Sequence, residues 1–537
     1  MIFRSKVNRQ SRLVAALGAA AFVGLLLGPA NAQQTDPMDD LLDKLKAKGV
    51  LSDDEYQTLK KAREDEQIEL RQERRRQAQQ AAQQAEKEQK AADEAAKKPK
   101  FDASPGIRSI QLFGDVRLRY ESRVATSSFP VGSAAGVLPG AADTETLDRW
   151  RYALRIGIRG DLVDDWFYTL RFDTGTNPRS SWVTFGNTGS NNVSTTGGGV
   201  APFGRGSDGI VVGQAYIGWR ATPWFTVQAG KMANPLFTTP MVWDPDINPE
   251  GIAERFNYAV NDNLNLFANF GQYVYQSFSP NETSGGFGGV DNNGYMFAWQ
   301  GGVGYKFAPE TNARVGLSFY NYAGFPGTVV TGTPSINTNP NGFGGPFAFS
   351  TTGAPNTYPT NPAGLAFANG VNNLRYWELP VEVNFPIGGI SAQVFGDMSY
   401  NIQADDRAQK GSFASLGSQA FAYQAGMSVG TNIGLTMNRV AAKKNTWEAR
   451  AYWQQVDLNS LDPNLIDSDF FEGRTNLQGV FLAFAYAPTD AIIGTVRFGE
   501  AHRVTSTGPT PGSNPDLPLV QPINEYKLIQ FDLTWKF

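Results

Sequence analysis

Seven arginines dominate the chemistry open to this sequence: Arg117, Arg119, Arg151, Arg155, Arg159, Arg171 and Arg220. They fall in four short segments, and Asp115, Glu121 and Asp173 are spaced evenly among them. In an extended chain such positions share one face, so guanidiniums and carboxylates stand side by side. A guanidinium stays protonated and is a poor general acid or base, so a wall of them sets a field. Two roles are open to it: Arg–carboxylate pairs can brace an inner wall, or the cations can act on a passing solute. A second group, Asp244, Asp246 and Glu250, lies between Ala233 and Gly251 with Pro235, Pro240, Pro245, Pro249, Phe237 and Trp243. A stiff acidic loop opposite an arginine wall would create a transverse field that orients dipolar solutes. The sequence leaves the direction of that loop open.

Other chemistries lack their residues. The chain has no cysteine, which removes disulfides, thiol catalysis and thiolate metal sites. His502 is the single histidine, with Glu500 beside it and Ser506 following, but there is no G-x-S-x-G context. No catalytic residue is therefore expected, although a barrel hydrolase remains the rival from the enzyme class. Gly197–Gly199 and Gly285–Gly289 have no Lys-Ser/Thr after them and suit loops better than phosphate cradles. Asp462, Asp467, Asp469 and Glu472 do not match a calcium-loop spacing and are expected as a solvated acidic loop outside any constriction. Neither metal nor cofactor is expected. Residues 101–537 hold 28 basic against 35 acidic side chains, net -7, without a basic stripe for nucleic acid.

The elements that must position these residues fall into three stretches. Residues 1–32 carry Arg4, Lys6, Arg9 and Arg12, an apolar run from Leu13 to Leu27, and Ala30-Asn31-Ala32, the pattern of a cleaved signal peptide. Residues 33–100 form a periplasmic helical segment. Leu41, Leu42 and Leu45 mark one helix face, Gly49 its C′ position, and Ser52 with Glu55 a capping box for a second helix. That helix runs into an Ala/Gln/Glu/Lys tract from Gln77 to Lys98, either a solvated spacer or a coiled coil that helps to assemble copies.

From Ser109 the apolar period becomes two, and residues 101–537 read as an all-β unit. Sixteen strands are expected: 109–122, 148–161, 165–175, 210–221, 224–232, 252–260, 263–273, 294–307, 311–323, 374–386, 389–399, 420–440, 446–458, 475–487, 490–503 and 525–537. Short turns, such as Leu162–Asp164, Ala308–Glu310 and Ala441–Asn445, alternate with long Gly/Asn/Pro/Thr-rich loops, the longest at 176–209 and 324–373. A Greek-key sandwich gives no reason to sort loops by length; a closed antiparallel transmembrane β-barrel of even strand number does. In the bilayer interior only closure satisfies every backbone group. The last strand fits, with Ile529, Phe531, Leu533, Trp535 and Phe537 facing lipid, and Gln530, Asp532, Thr534 and Lys536 facing a lumen. A hydrophobic content of 41% with mean hydropathy of -0.33 is what alternation, rather than apolar runs, produces.

On these residues the chain resembles a family. Leu112-Phe-Gly-Asp-Val-Arg-Leu-Arg-Tyr-Glu121, Arg149-Trp-Arg-Tyr-Ala-Leu-Arg-Ile-Gly157 and Gln214-Ala-Tyr-Ile-Gly-Trp-Arg220 are similar to strands of the bacterial "putative porin" family. Ala229-Gly-Lys-Met-Ala-Asn-Pro235, Val242-Trp-Asp-Pro-Asp246 and Pro249-Glu-Gly251 resemble it further. The leader around Lys48-Gly-Val-Leu-Ser-Asp-Asp-Glu55 is similar to those of this family and of phosphate-selective porins. The resemblance implies a Gram-negative outer-membrane diffusion channel of sixteen strands, assembled as a homotrimer in outer-membrane lipid and passing small hydrophilic solutes or ions. It names no permeant. The arginines argue for anions and the net -7 for cations, so low selectivity is the expectation. The alternative is a barrel whose long extracellular loops bind a ligand or surface partner.

Overall fold

The computed structural model describes residues 41, 44–50, 52–62, 65, 106–127, 144–175, 180–186, 209–276, 294–323, 373–410, 414–506, 508–512, 516–517, 520 and 522–537. The expected signal peptide, the Gln77–Lys98 tract and most of the two longest loops lie outside the described residues. The chain divides into two units, Met1–Asp102 and Ala103–Phe537.

In the first unit the predicted capping box forms. The Ser52 N–H and hydroxyl both donate to Glu55 Oε2, at 3.0 and 2.7 Å. Gly49 takes φ +68, and the Val50 N–H donates to the Leu45 carbonyl, which closes the preceding helix turn. Lys46 bridges the two turns by pairing with Asp53 at 2.9 Å and lying over the Tyr56 ring.

The second unit is a closed antiparallel barrel of sixteen strands. They are β1 (Gln111–Thr126), β2 (Thr144–Asp161), β3 (Trp166–Thr174), β4 (Ile210–Thr222), β5 (Phe225–Lys231), β6 (Glu250–Ala259), β7 (Leu264–Gln276) and β8 (Gly294–Ala308). Then follow β9 (Thr311–Ala323), β10 (Arg375–Glu378 and Val381–Ile387), β11 (Ile390–Asn401), β12 (Phe421–Gly430), β13 (Thr446–Val456), β14 (Leu477–Ala487), β15 (Ile492–Arg503) and β16 (Glu525–Lys536). Pro380 splits β10, because proline has no N–H for the ladder. A two-residue strand, Val183–Thr184, adds to β2 from the second long loop.

The ring closes where β1 meets β16, in a register that sets Arg119 opposite Asp532 and Arg117 opposite Thr534. Gly114 and Phe537 exchange backbone hydrogen bonds at 3.0 and 3.1 Å. A Cβ at Gly114 would stand 2.3 Å from the Arg155 carbonyl oxygen and 2.7 Å from the Phe537 ring, so only glycine allows this approach.

Alternation assigns the two surfaces as expected. On β16, Ile529, Phe531, Leu533 and Trp535 are 41–51% exposed outward, while Gln530, Asp532 and Thr534 are buried inward. Near the short-turn rim the outer face carries stacked aromatics, Phe225 on Phe256 at 4.6 Å and Trp166 on Trp219 at 6.0 Å. Such rings suit the membrane–water boundary.

One strand differs from expectation. β12 ends at Gly430, not at 440, and residues 431–445 turn into the lumen, where Leu435 packs with Ala485, Ala487 and Ile493. Glu448 accepts the Gly434 and Thr436 N–H groups, and Lys536 Nζ donates to the carbonyls of Asn438 and Val440, both at 2.9 Å. Leu435, which prolonged the strand pattern, is buried against the inner wall instead.

Candidate functional site

The arginine wall forms, and its carboxylates come with it. Glu121 is the hub of its outer half, accepting from Arg123 and Arg151 at 3.2 Å each, from Gln530 at 3.1 Å, and from Arg149. One strand register lower, Arg119 grips Asp532 through Nε and Nη2 at 2.7 and 2.8 Å, and Arg497 shares that carboxylate. Asp115 takes both Arg117, at 2.8 Å, and Arg155, at 2.7 Å. Arg171 makes a two-bond fork with Asp173. Trp182, from the second long loop, lies 4.2 Å over the Arg119 guanidinium and covers the group.

The third long loop, between Lys231 and Glu250, folds into the barrel, and the reason is visible in its residues. Met232, Leu236, Met241, Val242 and Trp243 are all buried, and Trp243 packs edge-on to Tyr273 at 6.3 Å. On one wall the loop is fixed by Gln300, which binds the N–H and carbonyl of Phe237 at 2.8 and 2.7 Å. Thr238 and Thr239 add bonds to Glu378 and Asp397. Towards the arginines, Asp246 reaches Arg155 at 3.2 Å, and Asn248 accepts from Gln214 at 2.9 Å. Asp246 borders a cavity of about 340 Å³ that Asp173, Thr174, Ser181 and Gly213 also line.

Several expected placements change. Of the loop acids, only Asp246 opposes the wall. Asp244 is turned to the seventh long loop, where its carboxylate accepts from the Ser468 N–H and hydroxyl at 3.2 Å each. Glu250 begins β6 and pairs with Lys231 at 3.1 Å, not with an arginine of the wall. Arg220 and Arg159 sit by the short-turn rim, the first in an exposed pair with Asp161 and the second bonded to Gln111. Arg123, Arg149 and Arg497 also belong to the wall although they are not among the seven arginines expected there from the sequence. Arg123 and Arg149 continue the same parity on β1 and β2, and that signal could have found them.

The largest change concerns the acids of the seventh loop, residues 457–476. They are not outside. Asp462 accepts from Tyr275 and Tyr322 on one wall at 2.7 and 2.8 Å, while Asp469 takes Arg119 on the other at 2.6 Å. The loop is therefore a strap across the lumen, with Leu461, Leu465, Ile466, Phe470 and Phe471 buried beneath it. It is tied to the third loop by the Asp244 N–H to the Leu465 carbonyl, 2.6 Å, and the Asp467 N–H to the Pro240 carbonyl, 3.0 Å. Burial, and then the charges of Asp244 and Asp469, push the Asp467 carboxyl well above the ordinary carboxylate range. Burial likewise raises Asp246. Burial works the same way on Asp469, but Arg119 outweighs it and holds that carboxyl low. The eighth long loop joins through Asp516, which binds Arg149 at 2.7 Å.

The arrangement pairs the wall arginines with carboxylates and fixes the loops across the lumen. His502 lies on β15 beside exposed Glu500, its ring 6.4 Å from that of Trp453.

Similar folds occur among solved outer-membrane proteins. OprB of Pseudomonas putida matches with a TM-score of 0.40 at 11% identity, over 81% of this chain and 94% of its own. The outer-membrane channel DcaP of Acinetobacter baumannii gives 0.36 at 11% identity, over 81% and 99%. OmpT of Vibrio cholerae gives 0.38 at 10% identity, over the same shares. No curated protein matches the sequence. The family model described as "Putative porin" matches residues 70–342 and 381–537, which is most of the chain and nearly all of the barrel. On that match the chain belongs to the putative porin family.

Proposed function

We propose that solutes cross this outer-membrane porin through an eyelet between the third long loop and the wall of β1 to β4, with Arg155 and Asp246 at its edge. The protein is a channel for passive diffusion across the Gram-negative outer membrane. One observation carries the placement of the eyelet: the third loop is anchored on both sides, by Gln300 on β8 and by Arg155 on β2. A loop held at both flanks narrows the lumen without needing a partner to close it. Paired charges at the eyelet orient polar solutes and disfavour apolar ones of equal size. The wall arginines outside the eyelet mainly brace the barrel, since each except Arg159 is bound to a carboxylate. A channel is preferred to a catalyst because the family match is to porins and the carboxylates of the β1 to β3 wall are consumed in ion pairs.

Association of copies is part of this proposal. On the outer face, Glu254 accepts from Gln272 at 2.9 Å, midway along β6 between the aromatic band and Glu250. Alternation places both among lipid-facing neighbours such as Ile252 and Val274, 46% and 45% exposed. A carboxylate at that depth is unfavourable against hydrocarbon, so a second copy covering β5 to β7 suits it better. The resemblance supplies the number three.

Purified protein in planar bilayers tests the proposal. Stepwise openings whose size increases in Asp246→Ala are expected; a silent membrane, or openings that ignore Asp246, would refute it.

A further inference from the structure

The charge pattern of the lumen is lopsided. On β1, β2, β3 and β15 every arginine named above except Arg159 has a carboxylate bound to it. The opposite wall differs. Arg255 on β6, Arg314 on β9, Arg450 on β13 and Arg439 in the 431–445 turn form no ion pair among the described residues. Alternation sets all three strand residues on the inner face, in parity with buried Ala253, Ser318 and Glu448.

Two of these side chains are held flat. The Arg314 guanidinium lies 4.2 Å over the Phe237 ring and 4.4 Å over Phe267. Arg450 lies 3.7 Å over Phe395 and donates to Ser428 Oγ at 3.3 Å, and its Nε is buried without a partner. A guanidinium stacked on a ring keeps its in-plane N–H groups for a planar or tetrahedral oxyanion. Arg255 and Arg439 are exposed to the lumen. Arg255 stands two positions from Asn257, the register partner of Phe267, and so beside Arg314. Register also links the far end, because Arg314 faces Glu382, and Glu382 faces the Phe395 that carries Arg450.

Four acids lie on this face: Glu378 and Asp397 are buried and bound to Thr238 and Thr239 of the third loop, and Glu382 and Glu448 are the others. Glu382 receives Gln393 at 3.4 Å and is not ion-paired, while both N–H groups bound by Glu448 belong to the turn that carries Arg439. Glu378, Asp397 and Glu448 are buried and Glu382 is half-buried, whereas Arg255 and Arg439 are exposed, so the charge this face presents to the lumen is positive. The neutralised wall across the lumen does not cancel it, and the third loop presents Phe237, not a carboxylate, to Arg314.

We infer that the inner face from β6 to β13, with the 431–445 turn, is a binding ledge for small solutes bearing carboxylate or phosphate groups, held by Arg255, Arg314, Arg439 and Arg450. It gives the channel a preference for anions despite the acidic composition of the barrel. The inference rests on the protein being a pore, and its test separates the two.

Reversal potentials in a potassium chloride gradient across planar bilayers, with wild type and the triple variant Arg255→Gln/Arg314→Gln/Arg439→Gln, provide the test. Arg450 is kept, since its ring contact packs the wall. Wild type should prefer chloride, and the triple variant should lower the chloride-to-potassium permeability ratio by about threefold or more. Sodium succinate or inorganic phosphate should reduce the wild-type chloride current, and the triple variant should need about tenfold more of either. Succinate acting alone would confine the ledge to carboxylates, and phosphate alone to phosphates. Lys527→Gln, which removes an exposed cation paired with Glu500 at 3.7 Å, should leave the ratio at the wild-type value. Folding is checked by heat-modifiable mobility, and Arg255→Gln alone, at an exposed position, should shift the ratio in the same direction. An unchanged ratio in folded variants, or cation preference in wild type, overturns the ledge while the pore stands. Absence of any openings in wild type overturns the pore and the ledge together.

Discussion

Arg119 and Asp469 are joined by two hydrogen bonds, 2.6 and 3.1 Å, between the first strand and a loop near the end of the chain. The same guanidinium holds Asp532 on the last strand, so one side chain fastens both the barrel seam and the strap across the lumen. Arg119→Ala leaves two carboxylates in the interior, with Arg497 remaining for Asp532 only. Removing one partner of a buried pair typically costs about 3–5 kcal/mol. Denaturant unfolding of the refolded barrel, followed by tryptophan fluorescence, should register a loss of that order. Single-channel currents should also rise as the strap comes free. A wild-type unfolding midpoint would show that the bridge contributes no net stability.

The strap should respond to pH in two opposite senses. The raised carboxyls of Asp467 and Asp246 take up protons more readily in the folded protein than in the unfolded chain. Their contribution is therefore present at low pH and is lost as pH rises through the folded values. Asp469, held low, contributes above the ordinary carboxylate range and loses that contribution as pH falls through its folded value. Both contributions coexist in mildly acidic solution, between the ordinary carboxylate range and the raised values. Conductance should accordingly be smallest there and increase towards neutral pH. Asp467→Asn should flatten that increase, and an identical pH profile in the variant would show that another group is responsible.

The inturned segment at 431–445 narrows the other end of the lumen. Lys536 holds it by two carbonyls, and Arg497 holds the Thr436 carbonyl at 3.0 Å. Lys536→Gln removes the first clamp at a solvent-reachable position and should raise open-channel noise without unfolding the barrel. Shortening the segment across Gly434 to Val440 should raise mean conductance. Currents equal to wild type in both would place the narrowest point elsewhere.

The outer face of β5 to β7 offers a fourth measurement. Gln272→Leu leaves Glu254 without its hydrogen bond, and the copies should part more easily. Mild detergent electrophoresis should show a larger share of single barrels, whereas Ile529→Leu on the β16 face should not. A wild-type ladder for Gln272→Leu would remove this face from the assembly.

How far the sequence carries depends on which physical signal each part leaves. Strands were legible because the two-residue period is written by lipid on one side and water or polar packing on the other. β16 shows it cleanly, and its predicted faces match the structure residue by residue. The strand predicted through residue 440 failed because Ile433, Leu435 and Met437 continue the odd-numbered apolar rhythm of β12, although Leu435 packs on the inner wall. The arginines on β1 to β3 were visible as a run, and Arg119, Arg151 and Arg155 do stand together. Asp462 and Asp469 were misplaced because acids spaced along a loop look solvated; Leu461, Leu465, Ile466 and Phe470 beside them were the sign of burial. Arg255, Arg314, Arg439 and Arg450 leave no pattern, since each lies alone in its segment and only ring closure brings them to one face.

The pairing of β1 with β16 also has a consequence for how the molecule comes to exist. Asp115 and Lys536 are register partners almost the full length of the barrel apart in sequence. A contact at such separation carries the largest loop-closure entropy in the unit, so it belongs at the end of folding, not at the beginning. Until it forms, the chain is an open sheet with two bare edges, each able to take a strand from any neighbour. Gly114 and Phe537 lie where those edges must meet, and the seam leaves no space there for a side chain. The time spent unsealed, more than the stability of the finished ring, should decide how many chains reach the membrane intact.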